Sequence, residues 1–169
     1  MAAESFPEVS EVPVSWGEIN LQRADQYKAI VNPDTGKVFS IVSKDYKLIR
    51  HEDAIQQIES IIRENLELGE FKTTIEFFNG GARMRMIFRF YNKSELIQID
   101  DAVSPELHLF NSYDTTWPLI VLIGAFRYIC TNGLVVGEKY LHLRKRHVYH
   151  FDDMNLKEQV LTALIRFNL

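Results

Sequence analysis

An α+β fold, with an antiparallel β-sheet of hairpins and a meander packed against a central helix and a C-terminal helix, follows from three features of the chain. Residues 70–91 alternate apolar and polar side chains on both sides of Asn79-Gly80-Gly81, the pattern of a β-hairpin. Residues 51–68 place Ile55, Ile58, Ile62 and Leu66 on one stripe at helical spacing. The order β-β-α-β-β-β-β, followed by further strands and a final helix, belongs to the α+β class. A chain of 169 residues with 46% hydrophobic and 12% aromatic content is long enough to bury one real core.

The first 22 residues read as an acidic, flexible arm. Glu4, Glu8, Glu11 and Glu18 are unbalanced by any Lys or Arg, and Pro7 and Pro13 interrupt the segment. Trp16 sits awkwardly there, since an exposed Trp is usually pinned against a surface. A single α+β domain is expected over 23–169, either whole or as the N-terminal part of a longer architecture. Its first hairpin covers 27–43, with YKAIV and KVFSIVS around the turn NPDTG, where Gly36 supplies the positive φ. The central helix runs from His51 to Leu68, with Gly69 as its stop. After the hairpin at 70–91, shorter strands are expected at 95–100 and 106–111, joined by a loop containing Pro105. From Trp117 to Gly137, β-branched content and the Asn132-Gly133 pair favour a strand turning into another strand; a helix over Leu119 to Tyr128 is the alternative. The last helix, Asn155 to Phe167 behind the N-cap Asp153, puts Leu156, Val160, Leu164 and Phe167 on one side.

Charge and cysteine content narrow the setting. A formal charge of -4 argues against a wholly basic nucleic-acid binder, so any such role rests on local asymmetry. That asymmetry is present: residues 82–93 carry Arg83, Arg85, Arg89 and Lys93 without an acid, and Lys139, Arg144, Lys145 and Arg146 are opposed only by Glu138. The single Cys130 makes no internal disulfide, and the acidic opening is not a signal peptide; a cytoplasmic protein is expected. The longest apolar run, Leu119 to Phe126, is far below the roughly 20 residues that span a bilayer, so no membrane association is expected.

The second strand of the 70–91 hairpin carries the leading candidate site. Met84, Met86, Phe88 and Phe90 share one face, whereas Arg83, Arg85 and Arg89 share the other with Ile87 and Tyr91. Cations for phosphates and an aromatic for bases are the two groups that hold single-stranded nucleic acid. The structural alternative is a solvated strand whose arginines pair with Glu76 and other acids across the hairpin. Arg144, Lys145 and Arg146, with Lys93, would extend the footprint if the fold brings them near. His142, His147 and His150, with Asp152 or Asp153, match no metal-ligand spacing, and neither metal nor cofactor is expected.

Asn111, Ser112, Asp114, Arg127 and Asn132 form a polar set inside the most apolar stretch. They either line a pocket or satisfy local backbone groups at turns, and the second reading is preferred. Arg127 needs a partner within an apolar run, and Asp114 is the candidate. Catalytic templates are missing: no Walker-type phosphate loop, GxSxG elbow or HExxH occurs. Asp100, Asp101 and Glu106 beside Pro105 read as a turn before they read as a metal site, and Cys130 near Arg127 as a buried thiol before a reactive one.

Residues 109–137, LFNSYDTTWPLIVLIGAFRYICTNGLVVG, resemble the signature of a phage- and plasmid-related family of unknown function. Members carry Asn-Ser-His-Asp-Gly, an apolar run and Arg-x-x-Cys-x-Asn; the matching residues are Asn111, Ser112, Asp114, Arg127, Cys130 and Asn132, with Tyr113 in place of His and Thr115 in place of Gly. The stretch GKVFSIVSKDYKLIRHEDAI is similar to the family's hairpin-to-helix transition at Gly36, Val42, Ser43, Tyr46 and the helix near Glu52. The resemblance covers most of 27–150 and implies a setting in mobile elements, with recombination, replication or counter-defence roles. A weaker likeness, of element order alone, connects the chain to phage single-strand annealing proteins. Together these point to a non-catalytic DNA-transaction protein that binds single-stranded nucleic acid, as a homo-oligomer because one strand offers few phosphate contacts. The alternatives are a protein-binding module of a mobile element, such as an inhibitor of a host protein, and a metal-dependent nuclease.

Overall fold

The computed structural model describes residues 6–64, 70–91, 104–128, 135–148 and 155–166. Three strands, β1 (Ser10–Trp16), β2 (Gln22–Val31) and β3 (Val38–Ser43), precede the helix α1 (His51–Arg63). They form one antiparallel sheet in sequence order. A second antiparallel sheet follows as a meander of β4 (Glu70–Phe78), β5 (Arg83–Tyr91), β6 (Ser104–Ser112), β7 (Leu119–Tyr128) and β8 (Val135–Lys145), and α2 (Leu156–Arg166) ends the described chain. The α+β architecture, with its hairpins, meander, central helix and C-terminal helix, is the one read from the sequence.

Alternation in β5 sorts the large sheet into an inner and an outer face. Met84, Met86, Phe88 and Phe90 are all buried, and β6 and β7 add Leu107, Leu109, Leu119, Val121 and Ile123 to the same side. Both helices cover that inner face: Ile55, Ile58, Ile61 and Ile62 of α1 and Leu156, Val160, Ala163 and Leu164 of α2 join the same core. A smaller core of Val9, Ile30, Val42 and Tyr113 roots the three-stranded sheet.

Local chemistry differs from the sequence reading at three places. Ser10–Trp16, expected within a flexible arm, pairs with β2; Val9 is buried, and Pro13 is tolerated because β1 is an edge strand with a bulge after it. Pro105, expected in a loop, lies in β6 opposite Ala125, at a point where β6 has no β5 partner, so its missing N–H costs least there. Leu119–Tyr128 is a strand, which rules out the helical alternative. The expected strand at 95–100, the stop at Gly69, the Asn132-Gly133 turn and the cap Asp153 lie outside the described residues.

The turn between β4 and β5 takes Asn79, Gly80 and Gly81 through positive φ. At Gly81 a side chain is excluded twice, by φ of +85° and by Pro7, whose Cγ would lie 2.7 Å from an added Cβ. The N-terminal segment thus packs against the hairpin turn, with Phe6 edge-on to Phe77 at 5.5 Å. Phe88 is fully buried between sheet and helices, and Phe88→Ala is expected to cost about 3 to 5 kcal/mol in urea melts.

Candidate nucleic-acid interface

Each arginine of β5 meets an acid on the outer face. Arg83 Nε donates to Asp114 Oδ2 at 2.7 Å, Arg85 pairs with Glu76 across the hairpin, and Arg89 Nε donates to Glu106 Oε1 at 2.7 Å. The cross-strand pairing set against polyanion binding in the sequence reading is therefore present at Glu76. The guanidiniums stay about one-third exposed. Glu106 is fully buried and also accepts from His108 Nε2 at 2.7 Å. Burial pushes its carboxyl up, but the His108 and Arg89 hydrogen bonds outweigh that and hold it below the usual carboxylate range.

Strand register shows how far the basic clusters share a surface. Glu76, Arg85, Phe110, Ile120 and Arg144 form one row across five strands, and Thr74, Ile87, His108, Leu122 and His142 form the next. Arg144 therefore shares the outer face with the β5 arginines, three strand spacings or roughly 14 Å from Arg85. Lys145 is opposite the buried Leu119 and so belongs to the helix side, while Arg146 is exposed just past the strand. The side chain of Tyr91 and all of Lys93 and Asn132 lie outside the described residues, as do His150, Asp152 and Asp153. Among the described residues no group of three His, Cys, Asp or Glu side chains is placed to hold a metal.

Aromatic rings stand among these cations. Trp117 meets Phe78 at 5.8 Å and Phe110 at 5.7 Å, both edge to face, and Arg83 lies over its ring at 5.7 Å. The surface is graded: Phe78 is 41% exposed and Arg144 is exposed, whereas Ile87, Glu106 and His108 are buried. The open half lies near the β4–β5 turn. Phe78 and Phe110 were legible as outward residues because their strand neighbours Phe77, Leu107 and Leu109 set the pleat; the packing of Trp117 between them was not, since it follows a turn.

The polar set from residue 111 onward does structural work. Asn111 Nδ2 donates to the Ile49 carbonyl at 2.8 Å and to His51 Nδ1 at 3.1 Å; His51 Nε2 in turn donates to the Gly81 carbonyl at 3.1 Å. The Tyr113 hydroxyl accepts the His51 backbone N–H at 2.8 Å, capping α1 where Arg50 supplies no side-chain cap. Its ring stacks on His51 at 3.9 Å. Ser112 Oγ donates to the Trp117 carbonyl at 2.8 Å and accepts its N–H at 3.1 Å. Asp114 accepts from Arg83, from Asn79 at 3.2 Å and from Thr116. Burial pushes Asp114 up, and the Thr116 and Arg83 hydrogen bonds more than reverse it. The expected pairing of Asp114 with Arg127 is corrected: Arg127 lies at the far end of β7, opposite Val136, whereas Asp114 follows β6 at the end where β7 begins.

His51 and His147 are the residues the sequence reading missed or misplaced. Both are buried, His147 stacked on Tyr46 at 5.0 Å. Burial lowers His51 to about 4, partly offset by the Gly81 hydrogen bond and reinforced by His147. Burial likewise lowers His147 to about 4, partly offset by the Lys47 backbone. A histidine lowered on folding binds fewer protons in the native state, so its stability contribution is complete above the unfolded value near 6.5 and is lost as pH falls toward 4. Urea midpoints should therefore drop between pH 7 and 4, by about 2 to 3 kcal/mol per histidine, and His147→Phe should flatten part of that slope. In the same melts, Tyr113→Phe should cost about 1 to 2 kcal/mol by uncapping α1.

Comparison with known proteins adds a family but no activity. The UPF0380 proteins YfjQ and YafZ of Escherichia coli (strain K12) are each 44% identical over 50 residues, 30% of this chain. That stretch spans 18% of either relative. No solved structure matches the chain. Residues 38–167, from β3 through α2, match a family described as a domain of unknown function (DUF932), and the chain belongs to that family.

Proposed function

We propose that the open half of the outer sheet face binds single-stranded nucleic acid without chemistry. The observation that carries this reading is the interleaving of Arg83, Arg85 and Arg144 with Phe78, Phe110 and Trp117 on one face whose other side is filled by helices. A guanidinium has five N–H donors, and Asp114 takes the Nε of Arg83, so the acid orients the group and leaves donors for phosphate. Acid pairing also limits the net charge, so base stacking carries a large share of the affinity. The salt slope should be shallow, set by about two or three phosphate contacts. The setting implied by the sequence resemblance is a DNA transaction of the phage or plasmid kind, inside the cell. No helix among the described residues is long and apolar enough to cross a membrane.

A second reading, a protein-binding module, is favoured by a different surface. Trp16, Ile19, Leu21, Tyr27, Val38 and Ile41 are all more than half exposed, and all belong to the three-stranded sheet or its turns. It requires a chain that ignores oligonucleotide at low salt and retains one stoichiometric protein partner that is lost on Tyr27→Ser/Ile41→Ser.

Fluorescence anisotropy with a labelled oligo(dT), at low and moderate salt, tests the leading reading. Arg85→Ala/Arg144→Ala should weaken binding about tenfold or more and reduce the salt slope by about one. Parent protein that fails to bind at low salt, or a variant that binds like the parent, overturns it.

A further inference from the structure

The edges of the two sheets are not equally protected against pairing with another strand. An unpaired edge offers a row of backbone donors and acceptors, and proteins blunt it with proline, bulges or irregular register. The edge strand β1 contains Pro13 and a bulge, β3 has a register shift near its start, and β8 has one midway. β4 has none of these. It pairs with β5 over nine consecutive residues without a shift, and among the described residues no strand lies on its other side.

The sequence of β4, EFKTTIEFF, is also complementary to itself when reversed about Thr74. We infer that β4 pairs antiparallel with β4 of a second copy of this chain, with the two-fold axis at Thr74. In that register Thr74 faces Thr74, Lys72 faces Glu76 twice, Thr73 faces Ile75, and Phe71 faces Phe77 twice. Every opposed pair keeps its face, because the pleat is preserved. A register centred on Lys72 or on Glu76 opposes like charges, and one centred on Thr73 or Ile75 sets Lys72 against Thr74 or Phe78. Only the Thr74 register of these five matches the charges.

The surroundings suit that partner. Glu76 is 37% exposed and has two carboxylate oxygens, of which Oε2 is the one that meets Arg85, so the partner's ammonium extends an ion chain already begun. Lys72, Thr73 and Thr74 are exposed, and Phe71 and Phe77 are half-buried on the helix side, where the opposed rings would cover each other. The product is a ten-stranded sheet with helices on one side and two outer faces merged into one. The inference does not depend on what those faces bind.

Sedimentation velocity of the full chain over a concentration series is the test, with circular dichroism as a check on folding. The parent should form a dimer. Lys72→Glu and Glu76→Lys alone should each raise the concentration needed for association about tenfold, and the double exchange should restore it. Under mild oxidation Thr74→Cys should give a covalent dimer that the parent, with Cys130 alone, does not. A parent that stays monomeric, a dimer that ignores the single reversals, a folded double exchange that stays dissociated, or a Thr74→Cys protein that does not cross-link would each overturn the inference. Oligonucleotide binding by the monomeric variants would leave the nucleic-acid reading standing.

Discussion

The hydrogen bonds that Asn111 and Tyr113 make to the start of α1 fix the relation of every other part. A helix begins with backbone N–H groups that have no partner in the helix, and here the first of them is buried. Tyr113 accepts it, Asn111 holds the preceding carbonyl, and His51 links both to the β4–β5 turn at Gly81. One short segment at the end of β6 thereby ties the helix, the hairpin and, through the Ser40 hydroxyl on the Tyr113 carbonyl, the three-stranded sheet. With α1 anchored there, its isoleucine stripe and α2 occupy the inner face of the large sheet. The outer face is what remains for a partner.

Electrostatics on that outer face is a balance. Partly exposed Arg–carboxylate pairs contribute little to stability, because solvent screens them and ordering the side chains costs entropy. Their effect is to hold Arg83 over Trp117 and Arg85 beside Phe110 in fixed orientations. The deeper Arg89, Glu106 and His108 group is different. Its carboxylate is buried and doubly hydrogen-bonded, so removing either partner would strand a charge in the interior. The two ends of β5 therefore do different work despite carrying the same residue type.

Periodicity made the large features legible. The alternation in β5, the helical spacing of Ile55, Ile58 and Ile62, and the turn glycines depend on neighbours along the chain, and all appear in the structure. What was illegible depends on contacts distant in sequence. β1 looked like a tail because prolines mark irregular chain in most contexts, and only pairing with β2 makes Pro13 an edge residue. The expected Asp114–Arg127 pair failed because strand length, about 3.3 Å per residue, separates the ends of β7 that sequence distance alone does not. The capping role of Tyr113 on a helix 62 residues away has no local signal. The preference for backbone satisfaction at Asn111, Ser112 and Asp114 was sound because short polar side chains beside a turn usually serve it.

The central claim is that the helix-free face near the β4–β5 turn is where a nucleic-acid strand lies. Hydroxyl-radical footprinting of the full chain, with and without a saturating oligo(dT), addresses it most directly because the aromatic side chains of the two sheets report separately. Protection of Phe78, Phe110 and Trp117, with Trp16 and Tyr27 oxidised as before, is the predicted result. Protection confined to Trp16 and Tyr27, or none at either sheet, would contradict it.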